Sequence, residues 1–182
     1  MDLKLETICA LATGSGIGAI AVVRISGADA RKIFSQCFSK DLSKVKSHTI
    51  HFGTISGIDG TQIDEVLVSY FEHGRSFTGE ESIEISCHGS PYVQQQLLAV
   101  IQQCGGRMAE PGEFTKRAFI NGKLDLSQAE AVADLIAAQS KKAHKIALSQ
   151  LKGNLSSDLK VLRESLIAFA SLIELELSLI HI

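Results

Sequence analysis

One short β-like run carries side chains that can do chemistry. Alternation along Ser82–His88 predicts a strand with one apolar face and one polar face, the polar face being formed by Ser82, Glu84, Ser86 and His88. An ordered carboxylate can accept two parallel hydrogen bonds, so Glu84 can bind a flat heterocycle that carries adjacent N–H donors. The alternative is a solvated sheet face that holds no ligand.

Arg24 is the second candidate, because it interrupts an apolar run, Ala19–Ser26, that is typical of a central strand. Burying an unpaired guanidinium costs free energy, so we expect its side chain to meet either a carboxylate or an anionic ligand. A structural salt bridge and a binding site are both consistent with this position.

The glycine-rich segment Gly14–Gly18 invites comparison with phosphate-binding loops. A dinucleotide-binding fingerprint follows a strand and opens a helix, whereas these glycines precede the predicted strand Ala19–Ser26. We therefore interpret the segment as a turn or a loop of close backbone approach, which can still line a ligand site. The P-loop pattern Gly-x-x-x-x-Gly-Lys-Ser/Thr occurs nowhere in the chain, so we expect the chain alone not to hydrolyse nucleoside triphosphates.

Two irregular stretches, Ser76–Glu81 and Pro111–Phe119, mix aromatic, acidic, glycine and hydroxyl residues. Loops of this composition often carry binding sites, so both are candidate site segments. Asn121–Leu126 then joins the two halves of the chain, and its simplest interpretation is a hinge.

The cysteines and histidines predict neither a metal site nor a catalytic centre. No Cys-x-x-Cys pair is present, and the four cysteines are expected to be free, small apolar residues: Cys9, Cys37, Cys87 and Cys104. The histidines lack metal-ligand spacing, and no Ser/His/Asp or Cys/His arrangement supports a nucleophile. No catalytic residue is therefore assigned.

The bulk composition is that of an ordinary globular protein, with 45% hydrophobic and 21% charged residues. A net charge of -2 and a pI near 6.3 argue against broad electrostatic binding to nucleic acid, although a local basic patch is compatible with them. The apolar runs are shorter than the roughly 20 residues of a membrane span. The start, Met1–Glu6, is charged and lacks a signal-peptide core, so a cytoplasmic location without membrane attachment is expected.

The first part of the chain predicts an α+β domain with one mixed sheet and a split β-α-β arrangement. Five strands are predicted: Ala19–Ser26, His48–Ser56, Glu65–Phe71, Ser82–Cys87 and Arg107–Ala109. One helix is expected from Ala28 to Phe38, capped by Ser26, and another that begins after Pro91 and ends at the C-cap pair Gly105 and Gly106.

The chain beyond residue 122 predicts helices only. Ser127 and Glu130 match a capping box, and helical spacing then continues through Ile146 and Leu148. Gly153 with Asn154 predicts a break, after which a second amphipathic helix follows. The predicted domains are residues 1–121 and 122–182.

Five segments together resemble the bacterial MnmE (TrmE) family of tRNA modification GTPases in their order and spacing. They span most of the chain and are Gly18–Gly27, Ser76–Glu81, Ile83–Gly89, Glu110–Phe119 and Asn121–Ala131. Any one segment would be a weak signal, whereas five in register are specific.

The resemblance implies that residues 1–121 form a tetrahydrofolate-binding and dimerisation domain with a fold like glycine-cleavage T proteins, and that 122–182 begin a helical domain. It implies binding of 5-formyl- or methylene-tetrahydrofolate through Arg24, Glu84 and Lys123. Glu84 would pair with N–H donors of the pterin, and the two cations with carbonyl or carboxylate oxygens. It also implies a homodimer that acts with the flavoprotein MnmG on wobble uridine 34 of tRNA, the folate providing the carbon attached at C5.

The chain also departs from the family pattern. The family carries a GTPase domain that uses Mg²⁺ and K⁺ after the first part of the helical domain, and its P-loop motif is missing here. Ser178–Ile182 differs from the usual acidic continuation, which we interpret as truncation, a frameshift or added sequence. Two alternative functions are a stand-alone folate-dependent one-carbon transferase and a dimerisation scaffold without catalysis. The lack of an identifiable base or nucleophile argues against the transferase.

Overall fold

The structure is a computed structural model that describes residues 6–180, with side chains described for residues 6–175. It contains two compact units, Met1–Lys123 and Leu124–Ile182. The first is built from a sheet and helices and the second from helices, which confirms the predicted fold class. Residues 1–5 of the charged start and residues 181–182 of the atypical end lie outside the described residues.

Six strands form one mixed sheet in the first unit. They are β1 (Ile8–Leu11), β2 (Ile20–Ser26), β3 (Thr49–Ser56), β4 (Gln62–Phe71), β5 (Ser82–His88) and β6 (Arg107–Met108). Their spatial order is β3-β4-β5-β2-β1-β6, with β1 and β6 parallel and the other neighbours antiparallel. All five predicted strands are present, and their ends differ from the prediction by at most three residues.

The strand β1 is an addition to the predicted order. Its four residues are too few for a periodic pattern to show, and they become a strand because β2 and β6 pair with them on either side. The first element of the sheet is therefore a product of tertiary pairing rather than of local sequence.

Alternation in β2 and β5 buries one face of the sheet and leaves the other free for polar residues. The buried face carries Ala21, Val23 and Ile25 from β2 and Ile83, Ile85 and Cys87 from β5. Leu97, Val100 and Ile101 of helix α2 (Pro91–Gln103) join the same core. Each fully buried Val, Leu or Ile side chain stabilises the fold by about 1.5–3 kcal/mol. This core holds the backbone that carries Arg24 and Glu84 on the opposite face.

Two helices of the first unit differ from the prediction. Helix α1 covers only Ala30–Phe34, and its N-cap is Asp29 rather than Ser26. Helix α3 (Glu113–Ile120) lies where an irregular segment was predicted. The turn dipeptide Pro111-Gly112 masked this start, since Gly112 has a φ of 76° and serves as the N-cap.

The segment Gly14–Gly18 is a loop that leads into β2, as predicted. Its last glycine approaches the chain beyond β5, where the Gly18 amide donates to the Gly89 carbonyl at 3.0 Å. A Cβ on Gly89 would collide with the carbonyl of Gly18. The close backbone approach expected of this loop is therefore present.

The second unit contains α4 (Leu126–Ala137), α5 (Lys141–Leu151) and α6 (Asn154–Ile180). Asp125 and Gln128 form the capping box of α4, so the predicted pair Ser127 and Glu130 was wrong by two residues. The chain breaks between α4 and α5, where continuous spacing was predicted, because Ser140 caps a new helix by accepting from the Ala143 amide. The predicted break near Gly153 is confirmed.

Between residues 6 and 180, no helix combines the length and the apolar character needed to cross a membrane.

Candidate functional site

Arg24 and Glu84 form an ion pair on the polar face of the sheet. The antiparallel register of β2 and β5 places these two residues directly opposite each other, so their side chains share one face. Nε of Arg24 lies 2.9 Å from Oε1 of Glu84, and Nη2 lies 2.8 Å from the same oxygen. Of the two partners expected for Arg24, a carboxylate or an anionic ligand, the structure shows a carboxylate, that of Glu84.

The pair keeps part of its hydrogen-bonding capacity unused. Its side chains are 22% and 30% exposed, and both contacts use Oε1 of Glu84. Among the described residues, Oε2 of Glu84 and Nη1 of Arg24 have no hydrogen-bond partner. A carboxylate oxygen accepts and a guanidinium nitrogen donates, so the pair presents an acceptor and a donor. A planar molecule with the complementary donor and acceptor can bind there.

Two aromatic rings flank the guanidinium. Cζ of Arg24 lies 5.1 Å from the ring centroid of Phe77 and 5.4 Å from that of Phe114, within the range of cation–π contacts. Phe77 belongs to the Ser76–Glu81 loop and Phe114 to the first turn of α3. The two stretches expected to carry a site therefore meet at Arg24, although the second of them is helical.

Lys123 contacts the Ser76–Glu81 loop and a residue just before it. Its ammonium donates to the carbonyl of Gly74 at 3.1 Å, and its alkyl stem packs on Gly79, where a Cβ would lie 3.0 Å from Cγ. Gly79 has a φ of 80°, so the tight packing and the backbone conformation both require glycine. The described contacts of Lys123 do not include Arg24 or Glu84, so the structure brings two of the three sequence candidates into direct contact and sets the third against the loop beside them.

A buried charge network lies beneath the loop. The side chain of Arg117 is 1% exposed, and its Nη1 lies 3.2 Å from both carboxylate oxygens of Glu80. Nη2 donates to Glu113 Oε1 at 2.9 Å and to the Glu6 carbonyl at 2.8 Å. Within the described residues, Nε of Arg117 is the buried side-chain nitrogen without a partner. Arg107 contacts Glu113 from the other side, at 2.6 Å.

The charge of Glu113 is stabilised by these neighbours. Burial is the largest single influence and raises the pKa of its carboxyl, but hydrogen bonds from Arg107, the Glu110 amide and Arg117 together lower that pKa to about 2. The carboxylate is therefore ionised at any pH at which the protein is expected to work, and it holds Arg117 in place.

A relay of buried hydroxyls links the network to the loop. Ser26 Oγ donates to Glu80 Oε2 at 2.7 Å, because an ionised carboxylate can only accept. Thr78 Oγ1, 2.7 Å from Ser26 Oγ, must then donate to Ser26. Ser76 Oγ donates to the Glu80 carbonyl, and the Glu80 amide donates to Thr78. Ser26 therefore hydrogen-bonds to Glu80 and Thr78, and it is not the helix cap that its position in the sequence predicted.

The far end of the loop is fixed by Glu81. Its carboxylate accepts from the Tyr70 hydroxyl at 2.7 Å and pairs with Arg31 at 3.1 Å. Burial and the hydrogen bond to Glu81 raise the pKa of Tyr70 to about 12, so its hydroxyl remains a donor. Successive residues Glu80 and Glu81 therefore anchor the loop to different partners.

The predicted polar strip on β5 is present but uneven. Ser82 is buried and donates to the Ile25 carbonyl at 2.8 Å, so it has a structural partner. At the other end, His88 is exposed, and its Nδ1 lies 2.7 Å from Asp64. Glu84 and Ser86 between them are half-buried. The strip is therefore not a uniform solvated face, and its carboxylate, that of Glu84, is paired with the arginine that lies beside the two aromatic rings.

The cysteines are free thiols at buried or half-buried positions. Burial raises the pKa of Cys9 to about 11 and that of Cys37 to about 12, so both remain protonated and unreactive at neutral pH. Across residues 6–175, no group of three His, Cys, Asp or Glu side chains is arranged to hold a metal ion.

Sequence reasoning missed Glu80, Glu113 and Arg117. Glu113 and Arg117 stand four residues apart, a spacing that pairs side chains on one helix face, so a signal was available once the segment was known to be helical. No local signal joins Glu80 to Arg117, which lie 37 residues apart in the chain.

Comparisons with known proteins agree with the two-unit organisation. A family model described as GTP-binding protein TrmE N-terminus matches residues 7–123, and one described as MnmE helical domain matches residues 126–178. The tRNA modification GTPase MnmE of Flavobacterium johnsoniae is 56% identical over 179 residues, covering 96% of this chain and 38% of that protein. The protein of the same name from Parabacteroides distasonis is 51% identical, covering 95% of this chain and 39% of its own length. The chain thus spans about two fifths of the length of these relatives.

Proposed function

The chain belongs to the MnmE family of tRNA modification GTPases, and we propose that its first unit is a tetrahydrofolate-binding and dimerising domain followed by the beginning of the helical domain. The observation that carries the proposal is the Arg24–Glu84 pair, which keeps a free donor and a free acceptor beside two aromatic rings.

The residues present fit a folate. A pterin is a flat heterocycle with adjacent N–H donors and a carbonyl oxygen, which match Oε2 of Glu84 and Nη1 of Arg24. Phe77 and Phe114 offer apolar surface for such a ring. The carboxylates of the folate tail need a cation, and Lys123 has two ammonium donors beyond the one that binds Gly74. A 5-formyl- or methylene-tetrahydrofolate would supply the one-carbon unit.

The same sheet face supports dimerisation with a second copy. The register places Ile50 of β3 in line with the Arg24–Glu84 pair, and Phe52 opposite Leu67 in the next row. These three apolar side chains are 48% to 67% exposed, and apolar clusters of this kind mark interaction surfaces. A twofold contact uses the same patch on both subunits, so one patch is sufficient. The pair would then lie at the edge of the dimer interface.

The activity of the whole protein includes steps beyond this chain. GTP hydrolysis with Mg²⁺ and K⁺ requires a P-loop that the sequence lacks, so it is assigned to a GTPase domain of the longer protein. That protein would act in the cytoplasm with the flavoprotein MnmG, modifying wobble uridine of tRNA at C5. The names of the relatives support the tRNA and GTPase parts of this proposal.

The first experiment is isothermal titration of the full chain with 5-formyltetrahydrofolate, with GTP titrated in parallel. Saturable folate binding without a GTP isotherm is expected. No folate binding by a folded dimer would favour the scaffold alternative. Folate turnover by the chain alone would favour the stand-alone transferase.

Variants then test the site. Arg24→Ala and Glu84→Gln should each weaken folate binding by at least ~1 kcal/mol, because each removes a charge-assisted hydrogen bond. Glu72→Gln is the matched control, since it removes a carboxylate from an exposed pair with Arg75. Folded variants with unchanged affinity would remove Arg24 and Glu84 from the site. For the dimer, Phe52→Glu should give a monomer by size-exclusion chromatography with light scattering.

A further inference from the structure

We propose that Arg117 is a positioning residue for ligand binding: by holding Glu80, it fixes the Ser76–Glu81 loop so that Phe77 lies over Arg24. This inference rests on the proposed folate site and concerns a residue that contacts neither Arg24 nor Glu84 among the described side chains.

The first step runs from Arg117 to the loop. Its Nη1 is 3.2 Å from both oxygens of Glu80, a two-oxygen contact that fixes the orientation of that carboxylate. Glu80 in turn accepts from Ser26, which accepts from Thr78. Two loop residues, Thr78 and Glu80, are therefore held by a single chain of hydrogen bonds that begins at Arg117.

The second step runs from the loop to the ring. Ser76 and Thr78 are buried and hydrogen-bonded, whereas Phe77 between them is 39% exposed and lies 5.1 Å from the guanidinium of Arg24. A residue between two fixed neighbours has little freedom of backbone position. The place of the Phe77 ring is thus a consequence of its anchored neighbours.

The second ring is held through the same residue. Phe114 stands three positions before Arg117 on α3, so both lie on adjacent turns of one helix. The contact between Arg117 and Glu80 joins α3 to the loop, and each of these elements supplies one of the two rings at Arg24. The contact of one buried guanidinium with Glu80 therefore links the two elements that carry Phe77 and Phe114.

A purely structural network would stabilise the fold without acting on the ring. The distinguishing readout is the coupling between Arg117 and Phe77 in folate affinity, because a positioning residue acts only through the group that it positions. Arg117→Lys keeps the charge but loses the fork that reaches Glu80 and Glu113 together. Thr78→Val keeps the shape and removes the hydroxyl of the relay.

The test is titration of the full chain with 5-formyltetrahydrofolate for Arg117→Lys, Thr78→Val, Phe77→Ala and the two doubles with Phe77→Ala. Arg75→Lys, in an exposed pair near the loop, is the control. Arg117→Lys and Thr78→Val should each weaken binding about tenfold, but by less than about threefold in the Phe77→Ala background. The control should bind like the parent chain.

The outcomes separate this inference from the proposed function. If the parent chain binds and the folded variants retain its affinity, or if their effects add to that of Phe77→Ala, Arg117 has no positioning role. Should Arg117→Lys fail to fold, Thr78→Val alone decides, since it leaves the buried charges paired. A parent chain that binds no folate contradicts the proposed function and this inference with it.

Discussion

Two arginine–glutamate contacts in the first unit use the same chemistry under opposite conditions. Arg24 and Glu84 are partly open to solvent and leave a donor and an acceptor unused. Arg117 is fully buried and shared between Glu80, Glu113 and a backbone carbonyl, and its described contacts occupy both terminal nitrogens. The two terminal nitrogens of Arg117 are used within the protein, although its Nε has no partner among the described residues, whereas the unused donor and acceptor of the partly exposed Arg24–Glu84 pair are available to a ligand.

The difference follows from where each arginine stands in the sequence. Arg24 is on a strand, and its guanidinium lies beside two aromatic rings while its side chain remains 22% exposed, so its charge stays close to water. Arg117 is on a helix whose buried side meets the loop and the first strand region, so its charge must be compensated by protein groups alone. We therefore expect substitutions at the two places to have different consequences for stability and for binding.

The largest effect is expected from Arg117→Met, which leaves Glu80 and Glu113 buried with fewer partners. The loss should be about 3–5 kcal/mol in the free energy of unfolding. Urea unfolding followed by tyrosine fluorescence measures it well, since both tyrosines, Tyr70 and Tyr92, belong to the first unit. Arg75→Met, which breaks an exposed pair, should cost less than about 1 kcal/mol. Equal losses in the two variants would contradict the assigned difference.

The second largest effect is expected from acid, which should lower the stability that the buried network contributes. The pKa of Glu113 is lowered from 4.5 to about 2, so its contribution to stability is complete above pH 4.5 and disappears as the pH falls toward 2. That contribution is about 3 kcal/mol on the scale of the pKa shift. Glu113→Gln should flatten the stability curve in this range, while Thr115→Ala on the same helix, which removes no ionisable group, should leave its slope unchanged. A parallel slope in both variants would rule out Glu113 as the source.

Substitutions at two glycines near the loop distinguish the cost of a strained backbone from the cost of a steric clash. Gly74 and Gly79 both have φ near 80°, but only at Gly79 would a Cβ press on Lys123 and Asn121. Gly74→Ala should destabilise the first unit by about 1–2 kcal/mol, and Gly79→Ala by about 1 kcal/mol more. Only the second substitution should also change folate affinity. Identical unfolding midpoints would show that the packing of Lys123 on the loop is loose.

The smallest effect on stability is expected from Arg24→Met. A partly exposed pair is worth about 0–1 kcal/mol, and the methionine keeps contact with the two rings. Folate affinity should nevertheless fall, which is the reverse of a purely structural salt bridge. A loss of stability comparable to that of Arg117→Met would show that Arg24, like Arg117, has a mainly structural role.

The sequence predicted the parts of the fold that depend on local pattern. The apolar run Ala19–Ser26 predicted β2, alternation predicted β5 and placed Glu84 on its polar face, and the cost of burying a guanidinium predicted either a carboxylate or an anionic ligand beside Arg24. The strand β1 depends on pairing with its neighbours, which four residues do not specify. The capping box of Asp125 and Gln128 depends on the geometry at the start of α4, which the local sequence does not fix to the exact residue.

Only part of the candidate site could be predicted from the sequence. Residue types marked the Ser76–Glu81 loop and the Pro111–Phe119 segment, yet nothing in either stretch predicts that Phe77 and Phe114 meet at one guanidinium. The contact between Glu80 and Arg117 joins distant parts of the chain, and a single sequence holds no information on such pairs. Ser26 shows the same limit, because its local context favours a helix cap and its three-dimensional neighbours give it a carboxylate.

The hydroxyl relay beneath the loop has a spectroscopic consequence. Since Glu80 can only accept, the protons of Ser26 and Thr78 each have a single place, and both side chains are fully buried. Hydroxyl protons of this kind exchange with water only when the surrounding structure opens. Their NMR resonances would therefore persist in water while the loop is closed, and their exchange rates would measure how often it opens.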